Sequence, residues 1–76
     1  MTVDLNRLKG ERVAKGLTQD EMAKRMGWNT RTPYAKRENG IVAIGADELA
    51  KMASILGYGR NELGIFFKLN VPEKER

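Results

Sequence analysis

Cysteine and histidine are both absent from the 76 residues, and serine occurs once, at Ser54. The missing cysteines exclude disulfide staples, thiolate nucleophiles and cysteine-type zinc sites. The missing histidines exclude Ser-His-Asp chemistry, paired-histidine metal sites and the usual proton shuttle near neutral pH. No metal ligand set, cofactor site or small-molecule substrate site is evident, and an enzyme is not expected. Apolar runs are short as well: the longest, from Ile41 to Ala46, is far below the roughly 20 residues that span a bilayer. Asp4 and Arg7 precede any apolar stretch, which reads against a secretory leader. A cytoplasmic protein with no membrane partner is the expectation.

Charge is what the chain does have, and it is unevenly placed. Residues 1–40 hold nine basic and five acidic side chains, whereas residues 41–76 hold five of each. The whole formal excess of +4 therefore lies in the first half. A basic face of this kind points to a polyanion, either nucleic acid or an anionic membrane, although a solvated surface reaches the same value.

Apolar spacing is helical nearly throughout, with punctuation where helix ends belong. The first helix aligns Leu5, Leu8, Arg12 and Val13 on one stripe and stops at Gly16; Gly10 inside it costs about 1 kcal/mol of propensity. Thr18 with Glu21 forms a capping box, Leu17 with Met22 a hydrophobic staple, and Gly27 ends the second helix. A third helix follows, capped by Thr30 or by Thr32 with Pro33 at its first position, and closes at Asn39-Gly40. The fourth starts near Gly45, buries Leu49, Met52, Ala53 and Leu56, and stops at Gly57, with Tyr58 packing back. A fifth is expected from Asn61 to Lys68. The reading is an all-α fold: one compact domain of five helices over residues 1–69, followed by a charged tail over 70–76.

Two short helices joined by a tight glycine-containing turn make a helix-turn-helix when particular positions are right. Gln19 opens the first, Ala23 is small where the helices cross, Gly27 supplies the turn, and Tyr34 anchors the second. With the runs Gly16 to Ala23, Met26-Gly27, Glu38-Asn39-Gly40 and Leu49 to Gly57, the sequence resembles the phage-repressor helix-turn-helix family, the Cro/CI-like or XRE-like domains. The likeness covers roughly residues 5–67. Three departures stand out: a turn one residue longer than usual, Arg37 where the family has an apolar or aromatic residue, and the apolar loop Ile41 to Ile44 where relatives are often basic.

The resemblance implies a compact lambda-repressor-like domain that binds double-stranded DNA, with the second helix of the motif in the major groove. Carried over by position, the base-reading places fall on Arg31, Thr32 and Lys36, with Ala35 available for a thymine methyl. Gln19 and Asn39 match backbone phosphate contacts, with Thr18 beside them, and Arg12 is a further phosphate candidate. Arg12 and Glu38 match an ion pair that fixes the first helix against the third. Trp28 is expected in the core at the turn. Ile65, Phe66 and Phe67 are three consecutive large apolar residues that one helix face cannot bury, and part of this cluster is expected to make a homodimer contact. The function implied is a transcription regulator of the repressor type, acting as a dimer on a palindromic operator, although activation suits the residues equally. The alternative is a protein-interaction module, such as an antitoxin or adaptor, built on the same fold.

Overall fold

The computed structural model describes residues 2–69; the tail expected over 70–76 lies outside the described residues. Four α-helices follow one another: α1 (Leu5–Ala14), α2 (Gln19–Met26), α3 (Thr32–Glu38) and α4 (Ala46–Ile55). A 3-10 helix spans Arg60–Phe66, and two short strands, β1 (Thr2–Val3) and β2 (Phe67–Lys68), pair antiparallel with Val3 opposite Phe67. The domain is all-α apart from this small clasp.

Local chemistry accounts for the helix ends. Asp4 caps α1 by accepting the Arg7 amide at 3.1 Å. At the start of α2 the Thr18 hydroxyl accepts the Glu21 amide at 3.0 Å, and the Glu21 carboxylate accepts the Thr18 amide at 2.8 Å. That reciprocal pair satisfies two of the donors every helix N-terminus leaves over. The C-termini of α1 to α4 end alike, on Gly16, Gly27, Gly40 and Gly57, each with positive φ. At Gly27, where φ is 96°, the reversal returns the Trp28 amide to the Ala23 carbonyl at 2.9 Å. A side chain at this backbone angle is strained, which is why the motif's turn is written with glycine.

Leu8, Met22, Ala23, Tyr34, Leu49, Met52, Ala53, Leu56 and Phe66 form the buried centre, completed by Leu17 and Met26. α3 packs chiefly on α2 and α1, while α4 supports α2 and the 3-10 helix. Val13 departs from the expected stripe: it is 58% exposed, because Arg12 occupies the inward position one residue earlier. Gly10 meets no neighbour where a Cβ would sit, so close packing does not explain it.

The expected fifth helix is present, but as a 3-10 helix that ends two residues before the expected Lys68. Helix ends at Phe66 in 3-10 form, and Phe67 is extended, with φ −117° and ψ 150°. The Asp4 amide donates to the Phe66 carbonyl at 2.7 Å, leading directly into the β1–β2 ladder. Successive side chains on an extended chain point to opposite sides. Phe66 accordingly fills the core edge-on to Tyr58, with ring centres 5.6 Å apart, while Phe67 stays 36% exposed.

Candidate nucleic-acid interface

The motif is built around a buried carboxylate. Glu38, in the last turn of α3, accepts Arg12 Nε at 2.7 Å and Arg12 Nη2 at 3.0 Å. It also accepts the Tyr34 hydroxyl at 2.7 Å and Gln19 Nε2 at 2.9 Å. Four donors from three elements thus converge on two oxygens, and Arg12 Nη1 donates to the Leu17 carbonyl at 2.7 Å. Burial pushes the Glu38 carboxyl up, but hydrogen bonds from Arg12, Tyr34 and Gln19 outweigh it and hold the group below the ordinary range. The hydroxyl of Tyr34 is shifted the other way, upward, first by its own burial and then by the carboxylate beside it.

This arrangement engages two of the side chains expected at phosphates, Arg12 and Gln19. Arg12 is only 8% exposed, and Nε, Nη1 and Nη2 each donate to Glu38 or Leu17, so its guanidinium is engaged in the interior. Gln19 is half-buried and spends one amide proton on Glu38, which fixes the carboxamide at the first position of α2. Thr18 remains exposed with its oxygen engaged in capping, and Asn39 is exposed at the C-cap of α3.

On α3 the side chains separate into sectors. At about 100° per residue, Arg31, Ala35, Thr32 and Lys36 span an arc of about 140°, and Glu38 and Tyr34 follow on its Arg31 side, about 20° and 60° beyond. Tyr34 and Glu38 are buried; Arg31, Thr32 and Lys36 are exposed and Ala35 is half-buried. Arg31 itself is the N-cap, in right-handed helical geometry with no side-chain cap, so neither Thr30 nor Thr32 plays that part. Pro33, at the second position, lacks one of the two amides a capping side chain accepts, which leaves the Tyr34 amide as the other.

Arg37, which departs from the family pattern, has a role that no spacing in the sequence announces. Its guanidinium lies 4.7 Å from the centre of the Trp28 ring. Nε donates to Glu48 Oε1 at 2.9 Å, and Nη1 donates to the Pro33 carbonyl at 2.8 Å. The same Glu48 oxygen accepts the Gly45 amide at 3.0 Å, at the start of α4. Trp28 packs half-buried against the core, as expected. No helical periodicity joins Trp28 to Arg37, since Trp28 lies in the irregular turn and Arg37 on α3.

The 3-10 end of the chain separates the expected dimer cluster. Phe66 is fully buried in the core of its own domain. Ile65 is half-buried against that core, which leaves Phe67 and the neighbouring Leu69, 71% exposed, as the outward apolar surface.

Two short helices crossing at a small buried alanine, a glycine turn between them, and a second helix presenting an exposed basic sector define a helix-turn-helix DNA-binding domain. The helix-turn-helix family model matches residues 8–63, and the chain belongs to that family, in its XRE-like form. No curated protein and no solved structure matches it significantly. The family is one of DNA-binding regulators rather than enzymes, and the chain is a DNA-binding transcription regulator in that general sense. Among the described residues, no helix is long and apolar enough to cross a membrane.

Proposed function

We propose that the protein is a sequence-specific repressor that binds a palindromic operator as a homodimer, with α3 in the major groove. The observation that carries this reading is the division of α3: one sector is locked into the core by Tyr34 and Glu38, and the other exposes Arg31, Thr32 and Lys36. A recognition helix needs that division, because a reading face is useful only if the opposite face fixes it. Arg31 and Lys36 donate to guanine O6 and N7, Thr32 donates or accepts, and Ala35 meets a thymine methyl. Gln19, Thr18 and Asn39 flank this face and supply contacts to the phosphates that set register without reading sequence. Two copies place their helices one turn of DNA apart, roughly 34 Å. Ile65 and Phe67 supply the contact between copies, and bound operator blocks access of the polymerase.

Selection from a random duplex library tests this directly. The reading expects an enriched site with two-fold symmetry, whose affinity falls steeply as salt rises. A folded protein that enriches no duplex would instead support an interaction module that works through protein contacts.

A further inference from the structure

The recognition helix is short and unevenly held. It spans seven residues, too few to be stable by propensity, so its neighbours must fix it. Tyr34, its third residue, and Glu38, its last, secure it to the core. Its N-terminal half, which carries Arg31 and Thr32, has no side-chain cap. The side chain that reaches this end is Arg37, one turn further on, through its bond to the Pro33 carbonyl.

Three elements meet at that one guanidinium. Nη1 holds the first turn of α3, Nε holds Glu48 and so the start of α4, and the planar face rests over Trp28 in the turn after α2. Only arginine meets all three demands, because its planar fork donates in two directions while its face stacks on a ring. A lysine in its place offers a single flexible point charge. The pair is also partly withdrawn from water, with the Arg37 side chain 19% and that of Glu48 31% exposed.

We propose that Arg37 is a positioning residue for base reading: it ties α3 to α4 and to Trp28 and so sets the angle at which Arg31, Thr32 and Lys36 are presented. This rests on the DNA reading above and adds to it a residue outside the reading face. Recognition geometry tolerates deviations of only about 10–20° before contacts are lost, so a small tilt of α3 falls on sequence discrimination first. Contacts to phosphate, which are less directional, feel it less.

The test compares Arg37→Met, Arg37→Lys and Glu48→Gln with the wild-type chain. Each is titrated with the duplex that the wild-type protein enriches and with a scrambled duplex of equal length, across a salt series. Helical circular dichroism and Trp28 emission are followed alongside. The proposal expects Arg37→Met to weaken the enriched duplex at least about tenfold more than the scrambled one, a loss of the size carried by one good base contact. The salt slope should stay unchanged, Trp28 emission should shift, and Arg37→Lys should recover only part of the discrimination. Glu48→Gln keeps an acceptor for the Gly45 amide while removing the charge partner, and it should show the same loss in milder form even if Arg37→Met fails to fold. Equal weakening on both duplexes with a salt slope lowered by about one per guanidinium would make Arg37 a phosphate contact and overturn the proposal. Unchanged discrimination in folded variants would overturn it as well. A wild-type chain that enriches no duplex overturns the DNA reading itself, before any variant is compared.

Discussion

Arg12 and Glu38 meet side-on in the interior, Nε to Oε2 at 2.7 Å and Nη2 to Oε1 at 3.0 Å, and so join α1 to the last turn of the recognition helix. Both are nearly excluded from solvent, at 8% and 5% exposure. Removing one member of such a pair leaves the other charge buried and uncompensated, at a cost of about 3–5 kcal/mol. Glu38→Leu should therefore lower the urea midpoint sharply. In a cycle with Arg12→Met, the second replacement should cost much less than it does alone, since the charge it removes is already unpaired. Losses that simply add would show that the pair does not act as a unit.

Acid should destabilise the domain, and the sign follows from the direction of the shifts. The Glu38 carboxyl lies below its ordinary 4.5 because Arg12, Tyr34 and Gln19 together outweigh the opposing effect of burial. Its folded value is depressed, so its contribution is complete above the unfolded value and fades as pH falls through the folded one. Glu48, held down first by Arg37 and then by the Gly45 amide, acts in the same direction from a more exposed site. Urea midpoints should stay level from about pH 7 to pH 5 and drop below about pH 4.5, with a shallower drop in Glu38→Leu. A midpoint that rises on acidification would contradict this.

Gly10 offers a gain in stability. It lies within α1, is exposed, and an added Cβ would meet nothing within 4 Å. Gly10→Ala should raise stability by about 0.5–1 kcal/mol, visible as an increase of several degrees in Tm. Gly40 is its counterpart: φ is +81°, and a Cβ would come within 3.2 Å of Leu5 Cδ1. Gly40→Ala should lower Tm, with about 1–2 kcal/mol lost to the left-handed backbone alone. The two substitutions differ only in place, so calorimetry on both separates helix propensity from turn geometry.

What was legible in the sequence is local. The capping box at Thr18 and Glu21, the glycine stops, and the buried spacing of Leu49, Met52, Ala53 and Leu56 depend on neighbours within one or two turns. The third helix shows the limit: Thr30 and Thr32 are both good caps in isolation, yet Pro33 withdraws a donor and Arg31 takes the position. Strand pairing of Phe67 and Lys68 with Thr2 and Val3 joins the two ends of the domain, and no helical spacing announces it. The exposed sector of α3 follows from periodicity, whereas the Arg37 clamp depends on Trp28 and Glu48, which lie on other elements. The family resemblance marks Arg37 as unusual; packing shows why it is tolerated there.

Reading of bases by the outward sector of α3 is the central claim, and Arg31 tests it most directly. Arg31 is exposed at the N-cap of α3, with no side-chain capping bond to lose, so Arg31→Ala should fold normally. Library selection should be run in parallel on the wild-type and Arg31→Ala proteins, with the enriched sites compared position by position. The account predicts a symmetric wild-type site, and in the variant a preference relaxed at one guanine in each half-site, with about 1–3 kcal/mol of discrimination lost there and the remaining positions kept. An Arg31→Ala protein that enriches the same site with the same stringency would contradict it.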